Sequence, residues 1–398
     1  MRYTILLSIL ALLLSSCERD ISPAQAEKFV KFYGSNLMDE AGEVKVLNTG
    51  GYAICGTINS SGTGKRMALI LTDKNGNMLS DFPRFYTLDG LETGSVSMVV
   101  VEGGSGGFLL SGYLERPVGG TQNVQKDIFL VRTTSTGEES WKRSYGSGDD
   151  EHILHSIKRI GSGFLLAGYK ERNGRSDVLV MGLTESGDSI RLGFNYNNPY
   201  SENARANYLL NTGRDYLCVC TLDKPNNDGT DLYVLTFDNE LSPLERKVSS
   251  GPDETASSIV EVETNQFMIL GNRINNSGNT EMVLYSIEKN GLFVTNTAEL
   301  ATISEANADL IGSRMIKTSD GRYAIVGTMM EGGSGHITLQ FLSSALTVGE
   351  QLSYGASGVQ AGRDVDEDLD RGIVLLGENS MGANSIISLI KTRETGDL

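Results

Sequence analysis

Phe108-Leu109-Leu110-Ser111-Gly112 is one of seven short apolar stretches that punctuate this chain at near-constant spacing. The others are Tyr52-Ala53-Ile54-Cys55-Gly56, Phe164-Leu165-Leu166-Ala167-Gly168, Tyr216-Leu217-Cys218-Val219-Cys220, Phe267-Met268-Ile269-Leu270-Gly271, Tyr323-Ala324-Ile325-Val326-Gly327 and Ile373-Val374-Leu375-Leu376-Gly377. Six of the seven open on an aromatic residue, six close on glycine, and their last residues fall 56, 56, 52, 51, 56 and 50 positions apart. A sustained period of that length marks a stack of supersecondary units. Each unit continues through a polar loop to a second apolar run, such as Asp127 to Val131 or Asp177 to Met181. A turn, often at glycine, then leads to a more polar run such as Trp141 to Tyr145. Another extended run precedes the aromatic one, as in Ser97 to Val101 and Ser257 to Val262.

Four strands in about 50 residues are the blade of a β-propeller. The expected fold is therefore all-β: a seven-bladed propeller over residues 28–398, with four antiparallel strands per blade. Continuous apolar runs suit strands covered on both faces, and the recurring glycines suit close backbone approach or a bend between crowded blades. The last unit stops just past its third strand, at Leu398, without an outer strand. Residues Lys28 to Gly34 resemble Trp141 to Gly146 and are expected to supply it, closing the ring and removing an exposed edge.

The first residues carry an address. Arg2 precedes an apolar run from Ile5 to Leu14, too short for a permanent span and fitting a secretory signal. Leu14-Ser15-Ser16-Cys17 resembles the lipobox of bacterial lipoproteins, which implies cleavage after residue 16 and lipidation of Cys17. Residues 1–16 are thus expected to be a signal peptide and 17–27 a lipidated tether, with acyl chains holding the protein on a membrane. Glu18, Arg19 and Asp20 lean toward the outer membrane without fixing the leaflet. The repeat as a whole resembles the propeller lipoproteins of Gram-negative envelopes.

A formal charge of −16 disfavours nucleic acid and anionic head groups as main partners. Beyond Cys17, the cysteines are Cys55, Cys218 and Cys220, too few for a disulfide scaffold, and buried free thiols are expected. His152 and His155, three apart in a strand, are expected to face opposite sides and not to share a metal. Asp364, Asp366, Asp368 and Asp370 alternate and would share a face if extended, a candidate calcium site. The preferred reading of those aspartates is a solvated acidic edge or a turn near Asp368. Asp127, Asp177, Asp231 and Glu281 recur at one position of successive units, which points to a structural role. Tyr196, Tyr200 and Tyr208 form the best candidate cluster for stacking on sugars.

No residue set in the sequence makes a persuasive active site. The expectation is accordingly a non-enzymatic, membrane-anchored scaffold contacting an envelope protein complex. A surface glycan-binding protein is the alternative, followed by a glycan hydrolase or lyase. That last reading requires a polar pocket on the propeller axis with carboxylates of raised pKa.

Overall fold

The computed structural model describes residues 28–35, 37–102, 106–119, 123–191, 203–224, 229–247, 253–355 and 358–398. These residues form 28 strands and no helix. Five consecutive four-stranded antiparallel sheets occupy 40–86, 93–145, 150–191, 204–247 and 254–303. Two further four-stranded sets, 309–354 and 359–391 with the strand Phe29–Tyr33, are joined into one eight-stranded sheet. The join is a single parallel bridge between Gly335 and Val359. These seven sets are the repeating units of the sequence; in the first six the strands follow chain order, and in the seventh Phe29–Tyr33 lies outside the last strand.

Packing is between units. Seven apolar clusters are present, and each is shared by two consecutive units. One unites Val374, Leu376, Ile387 and Leu389 of the seventh unit with Tyr52, Ile54, Ala68 and Ile70 of the first. The strands quoted at the outset are the most deeply buried, because both of their faces meet a neighbouring unit. That is why they read as continuous apolar runs rather than alternating ones.

Outer strands carry a second, polar device. The Tyr33 hydroxyl donates to the Gly76 carbonyl of the next unit at 2.6 Å, Tyr86 to Gly137 at 2.5 Å and Tyr354 to Gly396 at 2.6 Å. Tyr145 donates to Gly187 in the same way. The accepting residue sits in the turn between third and fourth strands, where φ is +71° at Gly76 and +78° at Gly137. Glycine adopts that conformation without the steric penalty other residues meet.

The strand Phe29–Tyr33 pairs antiparallel with Asn384–Lys391, from Phe29 opposite Lys391 to Tyr33 opposite Ile387. The first and last parts of the described chain thus meet in one sheet, at the position anticipated for residues 28–34.

Candidate functional site

The first strand of every unit is irregular at the same place. Register shifts fall between Ala41 and Val44, Ser95 and Ser97, Ile153 and His155, and Ala206 and Tyr208. They recur between Ala256 and Ser258, Gly312 and Arg314, and Gly362 and Asp364. A β-bulge inserts one residue and re-aims those that follow. Opposite the shift lies the last residue of each motif, glycine in six units and Cys220 in the fourth, as in Gly112 paired with Ser95 and Gly377 paired with Gly362. A Cβ on Gly377 would stand 2.6 Å from the Ala361 carbonyl oxygen, and one on Gly271 would stand 2.9 Å from that of Thr255. The recurring glycine is therefore the imprint of the bulge on the neighbouring strand.

The residue at or just past the bulge is Glu43, Ser97, His155, Tyr208, Ser258, Arg314 or Asp364 in units one to seven. All seven are polar. In five of them the side chain accepts the backbone N–H of the following unit's first strand. Asp364 accepts Val44 N–H at 2.9 Å, Glu43 accepts Met98 N–H at 2.6 Å, and Ser97 accepts Ser156 N–H at 3.0 Å. His155 Nδ1 accepts Leu209 N–H at 3.1 Å, and Ser258 accepts Met315 N–H at 3.0 Å. A first strand is the edge of its sheet, with every second N–H facing away from its partner. A buried N–H needs an acceptor, and here the neighbouring unit supplies it.

Tyr208 and Arg314 break this series. An arginine side chain has no acceptor, and Tyr208 makes no such bond. The Arg314 guanidinium instead lies 4.3 Å from the centre of the Tyr208 ring. The same ring stacks on His155 at 3.8 Å. Arg314 also approaches Glu43 at 3.4 Å and Asp364 at 3.1 Å, so it links three different units. One step further along the first and last units stand Lys45 and Asp366. Lys45 Nζ is 3.6 Å from Glu43 and keeps 32% of its side-chain surface exposed, whereas the Glu43 side chain keeps 1%. Asp366 accepts Val46 N–H at 2.8 Å.

Burial and pairing displace these groups in opposite directions. Burial alone would raise the Glu43 carboxyl, but Lys45, the His155 bond and Arg314 hold it well below the usual carboxylate range. Asp364 and Asp366 move the other way: burial raises both, only partly opposed by Lys45. Burial pushes His155 down to about 4, against the pull of Glu43. His155 is therefore neutral at pH 7, its proton on Nε2 facing Glu43 Oε1 at 3.2 Å because Nδ1 is an acceptor.

The residues singled out by sequence are scattered by the fold. Cys17, Tyr196 and Tyr200 lie outside the described residues. Tyr208 is no open sugar platform, since its ring is taken up by His155 and Arg314. The four aspartates do not share one face, because the strand ends at Glu367. Asp364 and Asp366 join the central cluster. Asp368 accepts the Tyr52 hydroxyl at 2.7 Å and pairs with Lys391, which also holds Asp370 at 2.7 Å. They are paired with the protein's own cations and are not a solvated edge, although a turn does begin at Asp368. Among the described residues no group of three or more His, Cys, Asp or Glu side chains is arranged to hold a metal ion. His152 stacks on Tyr169 at 4.4 Å, apart from His155. Asp127 and Glu281 are held by Arg116 and Arg273, in keeping with a structural role. Cys218 and Cys220 are buried free thiols with sulfurs 3.8 Å apart.

Sequence reasoning missed Glu43, Lys45, Ser97, Ser258 and Arg314, and set His155 aside. A signal was there. Counting back from the last residue of each motif, the polar residue lies 13 positions earlier in five units (Glu43, His155, Ser258, Arg314, Asp364).

No protein-family model matches the chain, and no curated protein matches it by sequence. Solved structures do. A periplasmic gluconolactonase of Pseudomonas aeruginosa matches with a TM-score of 0.53 at 12% identity, over 86% of this chain and 97% of that one. A puromycin hydrolase matches with a TM-score of 0.54 at 11% identity, over 88% of this chain. This chain spans only about half of that second protein, 51% of its length. At such identities the likeness is one of fold, an all-β architecture of the β-propeller type. The expectation of a non-enzymatic scaffold is corrected here. It rested on the lack of a convincing catalytic set, yet a buried cluster of charges from several units occupies the centre. The two solved proteins named above are a gluconolactonase and a puromycin hydrolase.

Proposed function

We propose that this chain is a seven-bladed β-propeller hydrolase, held at the outer membrane through a lipidated Cys17, with its active centre on the propeller axis. The blade count is supported by seven inter-unit clusters, including the one between the seventh unit and the first. Closure of the ring is supported by the strand Phe29–Tyr33. The observation that carries the functional reading is the broken series of stitches. Five of seven equivalent side chains serve structure, while Tyr208 and Arg314 give up that service and meet each other beside Lys45, Asp364 and Asp366. Departures from a local structural rule concentrate where function is.

The chemistry follows from the charges. Asp366, whose carboxyl burial has raised, is suited to take a proton from water as that water adds to a carbonyl carbon, and to return it to the leaving oxygen. Lys45, partly exposed, and Arg314 supply positive charge where the tetrahedral oxyanion forms. Glu43 and His155 hold Arg314 and Tyr208 in place and do not exchange protons near pH 7. The substrate class this suits is a small polar ester or lactone, in line with the named substrate of the gluconolactonase.

The test is hydrolysis by the full chain, purified in detergent, against a panel of sugar lactones, aryl esters and aminoacyl amides, alongside Asp366→Asn. Asparagine keeps an oxygen for Val46 N–H, so the melting temperature should hold. Turnover of one class should fall by about 100-fold or more. No turnover of any class, or turnover indifferent to the substitution, overturns the proposal.

A further inference from the structure

A concavity lined by none of the charged cluster's residues lies at the seam between the sixth unit and the closing one. Its volume is about 270 Å³. Val30 and Phe32 of the closing strand, Ile337 of the sixth unit and Ile390 of the last strand make its apolar walls. Val30 and Phe32 are 43% and 51% exposed, large apolar side chains left uncovered on one face of a strand. Ser388 and Asn379 also line it. The Ser388 hydroxyl is buried, the residue being 3% exposed, and has no hydrogen-bond partner within the protein. Asn379 already accepts from Gln360 Nε2 at 3.3 Å, and the Tyr354 hydroxyl is committed to Gly396. None of the side chains around the concavity is charged.

We infer that this seam pocket binds an uncharged medium-chain amphiphile, its hydroxyl or amide end on Ser388 and its apolar body along Val30, Phe32 and Ile390. A buried hydroxyl without a partner is costly, and a ligand that bonds to it removes that cost. A carboxylate head would find no counter-ion here and would lose its hydration. The fit of an uncharged head to uncharged walls selects alcohols and amides over carboxylates. At about 30 Å³ per water-sized atom, the space suits about nine heavy atoms, the size of an eight-carbon alcohol. The site is separate from the proposed active centre and does not depend on it.

The experiment places the full chain in lipid nanodiscs with an eight-carbon alkanol bearing a diazirine near its far end, followed by irradiation and peptide mapping. Label should concentrate on the peptides containing Val30 to Phe32 and Ile390. Ser388→Ala should lower it about five-fold, in line with the loss of one hydrogen bond. Ile390→Phe, which fills the space, should abolish it. The matching diazirine carboxylate should label at least five-fold less. Scattered label, equal labelling by alcohol and carboxylate, or labelling indifferent to Ser388→Ala overturns the assignment.

Discussion

Ser258→Ala removes a single buried oxygen and isolates the stitch between units five and six. Ser258 is fully buried, and its hydroxyl oxygen is the acceptor for Met315 N–H at 3.0 Å. Without it that N–H is a buried donor with no partner, at a cost of about 1–3 kcal/mol. Unfolding entropy of about 2.1 cal/mol/K per residue, over about 370 residues, converts each kcal/mol into about 1.3 °C of melting temperature. The expected drop is therefore about 1–4 °C, measurable by calorimetry against wild type. The local consequence is sharper. Amide exchange at Met315 should quicken by about 5- to 150-fold, while exchange at Met98, stitched by Glu43, stays as it was. Ser258→Thr keeps the oxygen and should restore most of both. If Ser258→Ala melts with wild type and Met315 exchanges at its former rate, the side chains past the bulges are not what satisfies the edge strands.

Three further expectations follow from the same geometry. His155 is held down at about 4 when folded against an ordinary 6.5, so the unfolded chain binds more protons between those values. Its contribution is complete above pH 6.5 and is lost as pH falls toward 4: urea unfolding at pH 7 and 4.5 should show wild type losing about 2–3 kcal/mol more than His155→Gln. A loss equal in the two proteins would contradict the assignment. Gly112→Ala would drive a Cβ into the Gly94 carbonyl, a backbone group that cannot swing away, and should cost about 3 kcal/mol in chemical denaturation. Deleting residues 28–34 removes the burial of Tyr33 and its bond to Gly76 and should cost at least about 3 kcal/mol; an unchanged melting temperature would mean the strand does not close the ring.

The fold was legible because its signal repeats. Seven short apolar stretches, six opening on an aromatic residue and six closing on glycine, mark the unit, and the likeness of Lys28–Gly34 to Trp141–Gly146 marks the strand that pairs with Asn384–Lys391. The site was not legible for the opposite reason. Its residues stand at equivalent positions but differ in type, and Glu43 lies 321 positions from Asp364. Alternation also misled. It assumes an unbroken strand, and the residue that each bulge inserts shifts the faces that follow. The bulge between Ile153 and His155 is why spacing misplaces His155, whereas Asp364 to Asp370 read as one row because the end of the strand at Glu367 is not visible in the alternation. Tyr208 reads as part of a sugar-stacking cluster with Tyr196 and Tyr200 because the stretch before it, 195–200, is rich in asparagine and tyrosine. The glycines were noticed, and a role in close approach was assigned to them, but what they approach is visible only once the strands are paired.

The meeting of Phe29–Tyr33 with Asn384–Lys391 has a mechanical side. A load applied at residue 28 would pass directly into the five-residue strand beside the last one, before any longer strand is engaged. That strand is the shortest path along which the molecule could be pried apart. Its hold depends on Tyr33 reaching Gly76 and Phe29 packing against Tyr52, both on the first unit. Pulling from the N-terminal end would therefore strain the seam between last and first units ahead of every other. Pulling from the middle of the chain would have to break a four-stranded sheet first.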